Sequence, residues 1–282
     1  MTRSPVLCDL DGVVWLAHRA IPGSADAVAR LRGAGHRVLF VTNNSASTIE
    51  EQVAALEAVG IPASGDVVNS AMSAAALVRP GERVLVCGGA GLHAAIVDVG
   101  ADAVMMTSAT GRDRFDAVVV GWHREFDYRI LTLAAGAVRN GARLLASNDD
   151  ATYPTPDGPI PGGGAILAAV ERAAGLRAEI AGKPHRAMAE VVARVLGLDG
   201  TPVMKGTAIP DAVMRDTVMR DAVMVGDRPE TDGSFARTLG CRYAHVDSGV
   251  TPAGAAVEPF DVTRDLRAAD LAGIADLLLG VA

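Results

Sequence analysis

The chain has 282 residues and a net charge of −7. Half of it is hydrophobic, mostly alanine and valine, and only 4% is aromatic, so any core is built from small aliphatic side chains. That length holds one large or two medium domains. The acidic balance without a clustered basic face argues against nucleic-acid binding, and no apolar run approaches the ~20 residues that span a bilayer. The N-terminus enters an apolar run at once, without the charged and hydrophobic regions of a signal peptide. Cys8, Cys87 and Cys241 lie far apart and read as reduced thiols of a cytoplasmic protein, and no Cys or His spacing fits zinc.

Strand and helix signals alternate along the chain. Val6–Cys8 reads as a strand and Ala25–Arg32 as a helix capped by Ser24 and ended by Gly33 and Gly35. Arg37–Val41 is a strand ending at Thr42-Asn43-Asn44. Ser47 caps a helix to Val59, with Glu50 completing a capping box, and Ala71–Val78 is helical up to Arg79-Pro80-Gly81. A second pattern follows: strand Arg83–Cys87, helix Leu92–Val97, strand Ala117–Val120, helix Arg129–Arg139 and strand Arg143–Ala146. A loop runs from Ser147 to Gly164, then come helix Ala165–Ala174 and a short strand Glu179–Ala181. The first pattern resumes with helix His185–Leu196, strand Ala222–Val225, helix Glu230–Leu239, strand Arg242–Val246 and a helix over Leu266–Leu279.

Repeated strand–helix units predict an α/β protein, a Rossmann-like parallel-sheet core with helices on both faces. An inserted α/β domain over 81–180, which the resemblance described below makes a cap, is expected to divide that core into 1–80 and 181–282. Between the third and fourth motifs described below, Asp211, Asp216 and Asp221 each open a near-repeat of period five, which suits neither helix nor strand. It reads as a local duplication in an insertion over 198–220.

The N-terminal run Val6-Leu7-Cys8-Asp9-Leu10-Asp11-Gly12 carries the strongest signal. A buried strand there puts Asp9 and Asp11 at its C-terminal end, the edge where open α/β sheets bind ligands. Alternation puts both carboxylates on one side, and Gly12 lets backbone N–H groups approach an anion. Asp-x-Asp-Gly also occurs in turns and calcium loops, but a calcium loop continues with acidic ligands, whereas here Val13-Val14-Trp15-Leu16 follows. Three further strand ends carry polar groups: Thr42-Asn43-Asn44, Lys183 (one of only two lysines), and Gly226-Asp227 with Asp232. Each alone is an ordinary turn or surface feature. In one parallel sheet they converge.

In this order the motifs resemble the phosphatases of the haloacid dehalogenase superfamily. They are closest to the NagD-like branch with its 4-nitrophenylphosphatase and pyridoxal phosphate phosphatase-like enzymes. The resemblance rests on Asp9-Leu10-Asp11-Gly12-Val13, Ile21-Pro22-Gly23, Thr42-Asn43-Asn44, Gly182-Lys183-Pro184 and Gly226-Asp227-Arg228 with Thr231-Asp232. It implies a Mg2+-dependent hydrolase of phosphomonoesters of small metabolites. Asp9 is then the nucleophile that forms an aspartyl phosphate, and Asp11 the general acid and base. Asp9, the backbone carbonyl of Asp11 and Asp227 hold the metal, with Asp232 behind them. Thr42, Asn43, Asn44 and Lys183 bind phosphate.

The resemblance also assigns Asn148–Pro154 as the cap's specificity loop. Two roles fit Tyr153 within it, touching the leaving group or packing in the loop. Trp15 and His18 fit the entrance. His185 follows the third motif where many relatives carry serine, and fits either the site or a capping or surface role. Leu133, Ala134 and Val138 are candidates for homodimer formation through the cap. Candidate substrates are pyridoxal phosphate, glycerol or glycolate phosphates, nucleotide monophosphates and sugar phosphates. Two other readings of the same fold are a haloacid-type dehalogenase, disfavoured by Asp11 and Asp227, and a non-catalytic binding protein.

Overall fold

β1 (Arg3–Cys8) is buried over its last four residues, as a central parallel strand covered on both faces must be. The computed structural model describes residues 3–16, 19–155, 158–198, 217–251, 257–258 and 260–281. His18, the repeat opened by Asp211 and Asp216 itself lie outside them, whereas Thr217–Asp221, where the period-five pattern suits neither helix nor strand, is a short helix. A small hairpin of β2 (Trp15–Leu16) and β3 (Arg19–Ala20) follows β1, then β4 (His36–Thr42) and β5 (Val67–Asn69). β6 (Arg83–Cys87), β7 (Asp102–Met105), β8 (Ala117–Val120) and β9 (Arg143–Ala146) come next. After them are β10 (Thr152–Tyr153), β11 (Ile160–Pro161), β12 (Glu179–Ile180), β13 (Val223–Gly226), β14 (Arg242–Val246) and β15 (Leu266–Ala268).

Six strands form a parallel sheet in the order β15-β14-β13-β1-β4-β5, and five form a second in the order β12-β9-β8-β6-β7. In the first, the chain builds outward from β1 through β4 and β5, then returns on the other side through β13. The order reverses at β1, a topological switch point. Cys8 is in register with both Val225 and Phe40, so Asp9, Thr42 and Asp227 leave the sheet side by side. Alternation sends Val6 and Cys8 to one face, against Val28, Leu31 and Ile274. Leu7 goes to the other, against Met188, Val192, Phe235 and Leu239. The second sheet packs Leu85 and Cys87 on Ile130 and Leu167, and Val84 and Val86 on Leu92, Ile96, Ala71 and Ala74. The helix Ser70–Ala75 thus lies against the second sheet although it follows a strand of the first. No helix among the described residues is long and apolar enough to cross a membrane.

Several local expectations are corrected. Thr48, not Ser47, caps the helix Ile49–Ala58, and Glu51, not Glu50, closes the capping box. Ser and Thr stand side by side with Glu three residues after each, so the local pattern fits either cap. Ser24 is inside its helix, and its hydroxyl donates to the Val14 carbonyl at 3.0 Å. The 147–164 loop contains the antiparallel pair β10 and β11. Leu266–Ala268 is an edge strand on β14, and the last helix starts only at Leu271, where the Asp270 side chain caps it. Residues 229–239 split into a π-helical turn Pro229–Gly233 and an α-helix Ser234–Leu239. Ala134 and Val138 are buried in the protein's own core, so they are not available to a partner copy.

Asp265 fastens the β14 edge. Its fully buried carboxylate accepts from Tyr243 N at 2.9 Å and Asp261 N at 2.8 Å and pairs with the Arg237 guanidinium. Burial alone would raise its pKa, but Arg237 and these N–H groups outweigh burial and hold it below the ordinary carboxylate range. Its stabilising effect is therefore full above the unfolded-state pKa of about 3.9 and lost as pH falls through the lower folded-state value. Denaturant unfolding of Asp265→Asn should show a loss of about 2–4 kcal/mol at pH 7 that shrinks steadily below about pH 4. An equal loss at both pH values would remove the ion-pair account.

Candidate active site

Lys183 ties the site together. It is 1% exposed, and its Nζ donates to Asp9 Oδ1 and to Asp232 Oδ1, each at 2.8 Å. Burial alone would lower the ammonium's pKa, but Asp232 and Asp9 outweigh it and push it up, so Lys183 stays charged. Asp9 follows β1, and its N–H donates to Val225 O at 2.9 Å. Asp232 reaches in from the π-helical turn, a wide turn type common at functional sites. Its second oxygen accepts from Arg228 N at 3.1 Å.

Asp227, directly after β13, is held differently. Its Oδ2 accepts from Val250 N at 2.7 Å, while its Oδ1 is buried with no hydrogen-bond partner. Gly12, at φ 85°, passes so close that a Cβ there would sit 2.6 Å from that carboxylate. Burial first, then Asp232 and Asp9, push Asp227 up to about 8. Burial, partly offset by Lys183, pushes Asp232 up to about 6. Carboxylate oxygens of Asp9, Asp227 and Asp232 lie within 4.8 Å of one another. An all-oxygen donor set with one orphaned oxygen and crowded negative charge fits Mg2+. Both Asp232 oxygens are already engaged and the Asp227 Oδ1 is not, so Asp227 is the better direct ligand and Asp232 the group behind it.

Asp11 lines the same cleft, and Trp15 Nε1 donates to its Oδ1 at 3.1 Å. Trp15 therefore holds Asp11 and does not line the entrance. Burial, then Asp9, push Asp11 up to about 7, with Trp15 and Arg228 opposing. A carboxyl group in that range carries a proton it can give to a leaving oxygen near neutral pH. The Thr42 hydroxyl oxygen accepts from Asn44 N at 3.1 Å, which leaves its own proton for an anion. The Asn44 side-chain carbonyl accepts from Ala46 N at 3.0 Å and closes the local turn. The Asn43 side chain bonds the Lys183 backbone on both sides, accepting from N at 2.8 Å and donating to O at 3.1 Å.

The cleft, of about 60 Å3, lies between the two sheets' C-terminal edges, and Tyr153 borders it. Its ring stacks on that of Trp122, with centroids 4.7 Å apart, as the packing role expects. His185 stands at the N-cap position of its helix without a side-chain cap bond, with Nε2 3.7 Å from Asp149 Oδ1. Trp122 and Arg228, to which sequence reasoning gave no role of their own, and Asn148 and Asp150, which it placed in the specificity loop, also border the cleft. Among the described residues the Arg228 guanidinium makes no hydrogen bond and no ion pair. Its largest electrostatic partner is the Asp150 carboxylate across the cleft. A cation directly after Gly226-Asp227 was the available signal.

Residues 6–102 match the family model of haloacid dehalogenase-like hydrolases, and residues 180–274 match a second model of HAD-hydrolase-like proteins. The D-glycerol 3-phosphate phosphatase of Mycobacterium tuberculosis is 36% identical over 274 residues, covering 93% of this chain and 69% of that protein. The acid sugar phosphatase of Staphylococcus saprophyticus is 32% identical over 250 residues, covering 87% of this chain and 86% of that one. The crystal structure of a glycerol phosphate phosphatase from M. tuberculosis in complex with magnesium is 32% identical. It superposes with a TM-score of 0.78 over 96% of this chain and 78% of the other.

Proposed function

The chain belongs to the haloacid dehalogenase-like hydrolases, and from that premise we propose a Mg2+-dependent phosphatase for monoesters of small, uncharged polyols. The observation that carries the chemistry is the Lys183 bridge between Asp9 and Asp232, beside an Asp227 whose Oδ1 has no partner.

Asp9 attacks phosphorus through a carboxylate oxygen. The bond from phosphorus to the alcohol oxygen breaks, and Asp11 gives that oxygen its proton, so an alcohol leaves and an aspartyl phosphate remains. Asp11, now ionised, takes a proton from water. The water oxygen attacks phosphorus, inorganic phosphate leaves, and Asp9 is regenerated. Lys183 and the Thr42 hydroxyl hold the phosphoryl oxygens while negative charge spreads over them. Asp9, Asp227 and the Asp11 backbone carbonyl would hold Mg2+, which supplies the positive charge that lets two anions meet.

The leaving group is read from the rest of the cleft. Arg228 offers donors and Asp150 an acceptor, so that end is balanced in charge and matched to hydroxyl groups. Trp122 is already stacked on Tyr153, with Arg124 5.5 Å from its ring centroid. A flat base or pyridine ring would have to break that contact. The relatives named for glycerol phosphate and sugar phosphate substrates support the same choice. Assayed with Mg2+, glycerol phosphate should exceed pyridoxal phosphate and nucleotide monophosphates in kcat/KM by about tenfold or more. A preference for the flat-ring esters would overturn the polyol reading and leave the phosphatase reading standing.

A further inference from the structure

We infer that Asn148, on the loop after β9, is a positioning residue that sets the phosphate-binding turn of the other sheet. The inference rests on the phosphatase reading of the site. Asn148 is 4% exposed, and its Nδ2 donates to the Asn43 carbonyl at 2.7 Å. That carbonyl also accepts from the Ser70 hydroxyl at 2.6 Å. A peptide group is planar, so fixing this C=O fixes the N–H on its other side, which belongs to Asn44. That N–H donates to Thr42 Oγ1 at 3.1 Å. With its oxygen accepting there, the Thr42 hydroxyl directs its proton away from the turn, toward the cleft it borders. Asn148 thus acts on the phosphoryl site through a single peptide plane without touching the phosphoryl group.

A second path runs in parallel. Asn148 Oδ1 accepts from Asp150 N at 3.2 Å, and Asp150 Oδ2 accepts from Asn43 Nδ2 at 3.0 Å. The Asn43 side chain in turn clasps the Lys183 backbone. One buried amide from the second sheet therefore governs both the hydroxyl and the ammonium assigned to phosphate. Buried amides of this kind cost most when left half satisfied. None of the carboxylates assigned to the metal is bonded to Asn148.

Asn148→Ala and Asn148→Leu both remove the amide without changing charge, and leucine keeps the branched shape. Orthovanadate inhibition, with Mg2+ present, should weaken at least about tenfold in either variant. Calorimetric Mg2+ affinity should stay within about twofold of wild type. The loss in kcat should appear with both glycerol phosphate and 4-nitrophenyl phosphate, because the phosphoryl site that Asn148 positions is common to both. Vanadate affinity at the wild-type level in a folded variant would overturn the inference, as would parallel loss of Mg2+ and vanadate binding or a loss confined to one leaving group. Wild-type protein indifferent to vanadate would remove the phosphatase reading and this inference with it.

Discussion

Asp9→Asn protein should fold, yet turn over glycerol phosphate or 4-nitrophenyl phosphate at least about 10^4-fold more slowly than wild type, because the group that accepts the phosphoryl is gone. The fold should survive because the position is anchored through its backbone to Val225, and Lys183 keeps Asp232 as a partner. Asparagine has the same shape but is a poor nucleophile, so the loss should lie in kcat and not in KM. Retention of most of the rate would mean that water attacks the ester directly and that Asp9 is only a metal ligand. Circular dichroism and a melting curve on the same preparation separate inactivity from unfolding.

Lys183→Met should be costly in two ways. The side chain is buried and its single charge serves two carboxylates. Methionine fills similar space but leaves Asp9 and Asp232 facing each other without a cation. Breaking a buried ion pair from one side costs about 3–5 kcal/mol, and denaturant unfolding at pH 7 should show a loss of that size. Activity should fall about 10^3-fold, the usual consequence of removing a charge aimed at the transition state. Stability close to wild type would show that the carboxylates are neutralised by something other than Lys183.

Much of this site could be anticipated because its chemistry is concentrated at strand ends. Apolar runs that stop at Asp9, Thr42 and Asp227 reveal both the sheet and the edge where the polar groups collect. Lys183 stands out through the scarcity of lysine. The missed strands have weak local signals: β5 is three residues long, β7 is only half-buried, β15 is a short edge piece beside a helix, and β2, β3, β10 and β11 have two residues each. The contacts that the specificity loop makes with Asn43 have a different cause. Asn148 and Asp150 meet Asn43 across more than 100 positions of chain, and periodicity carries no information about such a meeting. Trp15 likewise reaches back to Asp11 because the chain doubles on itself after β1. Within a single turn, Ser47 and Thr48 each have a Glu three residues on, so the local pattern does not choose between them as cap.

In the proposed reaction Asp9 takes the phosphoryl group, with the carboxylates and Lys183 gathered around it. Rapid acid quench during turnover of a radiolabelled phosphomonoester with Mg2+ tests it most directly. Label should appear transiently on the wild-type chain, be released by mild base, and map to the peptide containing Asp9, with none on Asp9→Asn. A wild-type enzyme that turns over steadily while no label is ever found on the protein would contradict it.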